Sequence, residues 1–117
     1  MITITFYATD FEDGVRLNMD SITGFHAIGH AGYAKSGKDI ICSAVSALVT
    51  NTTESIHQFT KDVFSYEMDP KDGMMDFKIT SAISPESRLL LKSLLLGLGS
   101  IQTEYGEKYL QILFKNS

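Results

Sequence analysis

The chain of 117 residues has no tryptophan, two prolines and one cysteine. A single thiol cannot close an internal disulfide, so packing alone must hold the fold, as in proteins of a reducing compartment. Basic residues are also few. Ten Lys and Arg stand against fourteen Asp and Glu, giving a net charge of -4 with no basic stripe of the kind that tracks a phosphate backbone. Direct nucleic-acid binding is not expected. The leucine-rich stretch from Leu89 to Leu98 is interrupted by Lys92 and Ser93 and makes no membrane span. The first residues lack the basic, apolar, small-residue order of a signal peptide, so a cytoplasmic location is expected and the Asn51-Thr52-Thr53 sequon is a chance match.

The length suits one domain over residues 1–117, without internal repeats or low-complexity segments. Ile2, Ile4 and Phe6 alternate with Thr3, Thr5 and Tyr7, the two-residue period of a strand with one buried face. Turn residues from Asp10 to Asp20 precede a second strand over Ser21 to Ala27, and a glycine-punctuated loop over Gly29 to Lys38 follows. Asp39 is suited to cap a helix running from about Ile40 to near Thr60. On that helix Ile41, Val45, Leu48, Ile56 and Phe59 fall on one apolar face, with Asn51, Thr53, Glu54 and Gln58 on the remainder. Asp69-Pro70-Lys71-Asp72-Gly73 joins Val63–Met68 and Met75–Ile79 as a second hairpin. Ser84-Pro85 is an N-cap followed by proline at the first helical position.

The second helix carries more leucine than packing on one sheet needs, which is explained either by a dimer contact or by a fully buried helix. Gly97 and Gly99 mark either close packing or fraying there, and Lys108 to Phe114 offers a last strand. The expected fold is therefore α+β in two layers: strand, strand, helix, strand, strand, helix, with a largely antiparallel sheet covered on one face by both helices.

The chemistry gathers around Cys42. At a helix start the unpaired N–H groups and the positive end of the macrodipole favour a thiolate, and His30 stands twelve residues earlier in a glycine-flanked loop. Cys42 is then the nucleophile, His30 the base and acid, and the amides of the first helical turn, including that of Cys42, the oxyanion donors. The competing reading of a lone cysteine is a small buried hydrophobe. Asp39 either orients His30 or only caps the helix, and Ser46, one turn after Cys42, either bonds near the thiol or packs on the sheet. His26 and His57 lack the spacing of a zinc site, and no metal or other cofactor is expected. Gly32-Tyr33-Ala34-Lys35-Ser36-Gly37-Lys38 matches a phosphate-binding loop until Asp39 stands where Ser or Thr must hold magnesium.

Two runs carry a resemblance: Gly29-His30-Ala31-Gly32-Tyr33-Ala34, and Gly37-Lys38-Asp39-Ile40-Ile41-Cys42 continuing through Ser43-Ala44-Val45-Ser46-Ala47-Leu48. They resemble the ribosomal-processing cysteine proteases of the Prp family. The resemblance implies a cytoplasmic bacterial cysteine endopeptidase that removes a short N-terminal extension from the precursor of large-subunit ribosomal protein twenty-seven. It also implies a homodimer, a catalytic dyad of His30 and Cys42, supporting positions at Asp39, Ser46 and Gly29, and an apolar groove beside Cys42 for a leader ending in aromatic residues. Ile41, Ser43 and the length of the Asp10–Asp20 segment depart from the family pattern, and none of these touches the dyad. A non-catalytic ribosome-associated binding module is the alternative.

Overall fold

The computed structural model describes residues 1–29 and 38–117, with Lys38 and Asp39 described in the backbone only. Alternation at the start of the chain produces β1 (Ile2–Ala8), whose even-numbered residues are all buried and whose odd-numbered ones are half-buried. The Asp10–Asp20 segment folds as a miniature ribbon, β2 (Phe11–Glu12) against β3 (Arg16–Leu17), and a single 3-10 turn at Met19–Ser21. The Arg16 guanidinium lies 2.6 Å from the Asp10 carboxylate. The chain then forms β4 (Ile22–Ile28), α1 (Lys38–Phe59), β5 (Phe64–Asp69), β6 (Met74–Ile79), α2 (Pro85–Tyr105) and β7 (Leu110–Asn116).

Five strands make one sheet in the order β5-β6-β4-β1-β7. Three of its four pairings are antiparallel, and β7 joins β1 in parallel. The register places Tyr66, Phe77, Phe25, Phe6 and Phe114 in one row across all five strands. Ring centroids along it lie 5.6 Å (Phe25–Phe77), 6.5 Å (Phe6–Phe25) and 5.9 Å (Phe6–Phe114) apart. Aromatic pairs of this kind contribute about 0.5–1.5 kcal/mol each beyond the area they bury. Ile41, Val45, Val49 and Ile56 of α1 and Leu91, Leu94 and Leu98 of α2 join Ile4, Phe6 and Phe25 in the same core, so both helices lie on one face of the sheet.

Gly97 serves close packing: a Cβ there would meet Leu48 Cδ1 of α1 at 3.0 Å, whereas Gly99 borders open space. Lys92, which breaks the leucine run, pairs with Asp20 at 2.7 Å.

Several local expectations are corrected. Helix α1 begins at Lys38 rather than Ile40, so Asp39 is the second residue of its first turn and not the residue before it. Phe59, expected on the buried face, is 78% exposed in the last turn, while Thr53, expected on the polar side, is buried and donates its hydroxyl to Val49 O at 3.0 Å. That bond satisfies the hydroxyl without water, which is how a threonine is accommodated in the core. The last strand starts at Leu110, two residues later than expected.

The start of α2 follows the Ser84-Pro85 signal. Ser84 Oγ accepts from the amide of Ser87 at 3.2 Å, and Asp62, in the α1–β5 connection, accepts from both the amide (3.0 Å) and the hydroxyl (2.7 Å) of Ser84. Burial opposes ionisation of Asp62, and the nearby Ser87 hydroxyl together with the hydrogen bonds from Ser84 outweighs it, holding the carboxyl below its ordinary value. Ser84→Ala removes the cap and part of this tie. We expect a loss of about 1 kcal/mol, read as a fall in Tm of several degrees.

Candidate active site

Cys42 is half-buried, on the side of α1 that leans towards the sheet, between the buried Ile41 and Val45. It is the fifth residue of the helix. In an α-helix the amides of the capping residue and the first three helical residues lack a carbonyl four residues back, so the amides without helical partners belong to residues ahead of Cys42. The thiol keeps its place within the first turns at the positive end of the dipole, while its own N–H, expected among the oxyanion donors, falls where the helix itself supplies a carbonyl.

A cleft of about 220 Å³ opens beside the thiol, bounded by Cys42, Ser46 and Val49 of α1, Ile28 and Gly29 at the end of β4, and Met75 of β6. Gly29 has φ +101°, and a Cβ built on it would lie 2.3 Å from the carbonyl oxygen of Met1. No other residue type fits both that angle and that contact. The chain thus leaves β4 at a fixed point next to Cys42 and runs directly into His30.

Of the site residues expected from the sequence, Cys42, Ser46 and Gly29 line this one cleft. Ser46 is exposed, one turn beyond the thiol. His30, the loop glycines Gly32 and Gly37 and the phosphate-loop-like run lie outside the described residues, as does the Asp39 side chain.

The cleft continues along α1. Cys42, Ser46, Thr50 and Glu54 line an open trough on the helix, and Thr50 and Glu54 also border a depression of about 290 Å³ closed by His57, Phe64, Tyr66 and Met75. His57 is exposed and meets the Phe64 ring edge-on at 5.8 Å and 72°. Sequence reasoning missed this groove. One part of it was readable: Cys42, Ser46, Thr50, Thr53 and His57 recur at spacings of three and four, a stripe on one helical face. The opposite wall comes from the β5–β6 hairpin, whose docking no local pattern reveals.

His26 points to the other face of the sheet, where its Nδ1 lies 3.0 Å from Asp76 Oδ1. Among the described residues no group of three or more His, Cys, Asp and Glu could hold a metal ion. No helix among them is long and apolar enough to cross a membrane.

A half-buried thiol near a helix start, in a groove wide enough for side chains, is suited to nucleophilic attack on a carbonyl. Comparison with known proteins agrees. The family model for cysteine protease Prp matches residues 1–110. The ribosomal processing cysteine protease Prp of Staphylococcus aureus is 28% identical over 79 residues, covering 68% of this chain and 74% of that protein. Its counterpart from Bacillus subtilis is 25% identical over 88 residues, covering 72% and 79%. The crystal structure of the S. aureus protease with a covalently linked product peptide superposes with a TM-score of 0.79 at 23% identity, covering 98% of this chain and 100% of that one, a likeness of fold. A non-catalytic binding module, the alternative left by the sequence, does not accord with a match along nearly the whole chain to a protease family. The chain belongs to the cysteine protease Prp family.

Proposed function

We propose that this chain is a cysteine endopeptidase that removes the N-terminal extension from the precursor of large-subunit ribosomal protein twenty-seven in the cytoplasm, with Cys42 as nucleophile and His30 as its base and acid. The observation that supports the reading is the cleft lined by both Cys42 and Gly29, the residue that precedes His30 in the sequence. The ribosomal substrate is supported by relatives named ribosomal processing proteases.

The Cys42 thiolate attacks the scissile carbonyl carbon, and amides at the start of α1 hold the oxyanion. The tetrahedral intermediate collapses to a thioester as His30 gives its proton to the departing amine. His30 then takes a proton from water, whose oxygen attacks the thioester and frees Cys42. Asp39 and Ser46 support the dyad from either side of the thiol on α1. The groove between α1 and the β5–β6 hairpin receives the leader, its apolar wall formed by Phe64, Tyr66 and Met75.

Incubating the protein with precursor carrying its leader, and reading the products by mass spectrometry, tests the reading. One cut after the aromatic end of the leader is expected. An intact precursor after incubation at micromolar enzyme rules the substrate out.

The active species is a homodimer. Leu91, Leu94 and Leu98 are spent on the core, but Leu89 (63% exposed) and Leu96 (72%) are two turns apart on one outward face of α2. Sedimentation should give twice the 12.9 kDa chain mass, and Leu89→Glu with Leu96→Glu should halve it.

A further inference from the structure

The sheet face turned away from the helices carries a polar cluster that the thiol and its groove do not use. Asp76 Oδ1 on β6 accepts from the Tyr7 hydroxyl on β1 and from His26 Nδ1 on β4, 3.0 Å away. Tyr7 stands opposite Gly24 in the β1–β4 register, so its ring crosses β4 over a residue with no side chain. Burial, then the hydrogen bond to Asp76 and its charge, push the Tyr7 phenol above its ordinary value, so Tyr7 stays protonated and brings no charge to the cluster.

A structural pin across three strands accounts for these two bonds. It leaves other groups unexplained. Thr5, Tyr7, His26 and Lys115 line a concavity of about 250 Å³ on this face. Among the described residues, Thr5 Oγ1, His26 Nε2 and Lys115 Nζ have no hydrogen-bonding or ionic partner in the protein. Lys78 on the same face does have one, donating to Ser117 Oγ at 3.2 Å while lying 5.4 Å over the Tyr7 ring.

The register brings the three unpartnered groups together. Thr5 is directly opposite His26 on one side and Leu113 on the other, and Lys115 is two residues beyond Leu113, beside Tyr7. Side chains opposite and diagonal on one sheet face lie about 5 to 8 Å apart, within the reach of a lysine. With Nδ1 committed to Asp76, Nε2 is the ring nitrogen of His26 left to face a ligand. The concavity presents the second ring nitrogen of His26, an ammonium and a hydroxyl, while the Asp76 carboxylate is engaged by Tyr7 and His26, and Glu67 stands beyond it, opposite Asp76 in the β5–β6 register. On a chain whose net charge is -4 this is a local site for an anion.

We propose that this concavity binds a tetrahedral oxyanion of the phosphate class, held by Thr5, His26 and Lys115. Three polar groups from three adjacent strands, one of them the Lys115 ammonium, suit a ligand with oxygens in three directions better than a planar carboxylate, and a singly or doubly protonated phosphate can also donate to His26 Nε2.

The test is titration of the whole protein with inorganic phosphate at constant ionic strength, followed by the ring resonances of His26 in NMR spectra. A saturable shift in the millimolar range is expected, with acetate at least tenfold weaker. Lys115→Met, which keeps the stem, and Thr5→Val, which keeps the shape, should each weaken phosphate at least tenfold with circular dichroism unchanged. Alkylation of Cys42 on the opposite face should proceed at the same rate with and without phosphate. A linear, unsaturable drift, equal binding of acetate, or undiminished affinity in both variants overturns the site.

Discussion

Cys42→Ala, assayed on a peptide spanning the leader junction, should lose cleavage by at least about a thousandfold, because removing a nucleophile forfeits the covalent route and leaves only binding and oxyanion stabilisation. The fold should survive. Cys42 is half-buried at the margin of the core, so the truncation costs on the order of 1 kcal/mol and the variant remains folded at assay temperature. His30→Ala should fall in kcat by a similar factor, and its thiol should still take up iodoacetamide, more slowly at neutral pH. The two losses should not add. A nucleophile and its base act as one unit, so the double variant is expected to be about as slow as either single one. Cleavage that persists in Cys42→Ala, or a double variant slower by the product of the two factors, would overturn the dyad.

Much of this site was legible because the local signals agree with the fold they serve. Ser84-Pro85 announced α2 to the residue, and the alternation of Ile2, Ile4 and Phe6 gave β1 and its buried face. The proposed pairing of Cys42 with His30 rests on residue types that thiol chemistry requires, and His30 lies outside the described residues. What stayed hidden depends on contacts between distant segments. A parallel β7 carries the same alternation as an antiparallel one, and only its docking beside β1 decides the direction. Phe59 fits the apolar period of α1, but the last turn of the helix leaves it uncovered, whereas Thr53 is buried because a hydroxyl can return its hydrogen bond to the helix. The groove wall of Phe64, Tyr66 and Met75 exists only once the β5–β6 hairpin lies against α1.

Gly29→Ala should damage both stability and activity, and comparison with Gly106→Ala separates the two causes. Both glycines have nearly the same unusual backbone angle, φ +101° at Gly29 and +106° at Gly106. A side chain at either therefore incurs strain of about 1–3 kcal/mol. Their surroundings differ. At Gly106, the end of α2, an added Cβ meets nothing within 4 Å, so strain is the whole effect. At Gly29 the Cβ would sit 2.3 Å from the Met1 carbonyl oxygen, so the start of β1 or the end of β4 must move, adding about 1–3 kcal/mol of overpacking. The end of β4 is the part that matters for chemistry. It borders the Cys42 cleft and is joined to His30 through Gly29 alone, so a displacement of even about 1 Å can cost roughly a hundredfold in rate. We therefore expect Gly106→Ala to lower Tm modestly with kcat unchanged. Gly29→Ala should lower Tm further and reduce kcat by about two orders of magnitude, even at a temperature where circular dichroism shows it fully folded. Equal kcat in the two folded variants would mean that the Met1 contact shapes the strand end without positioning the histidine.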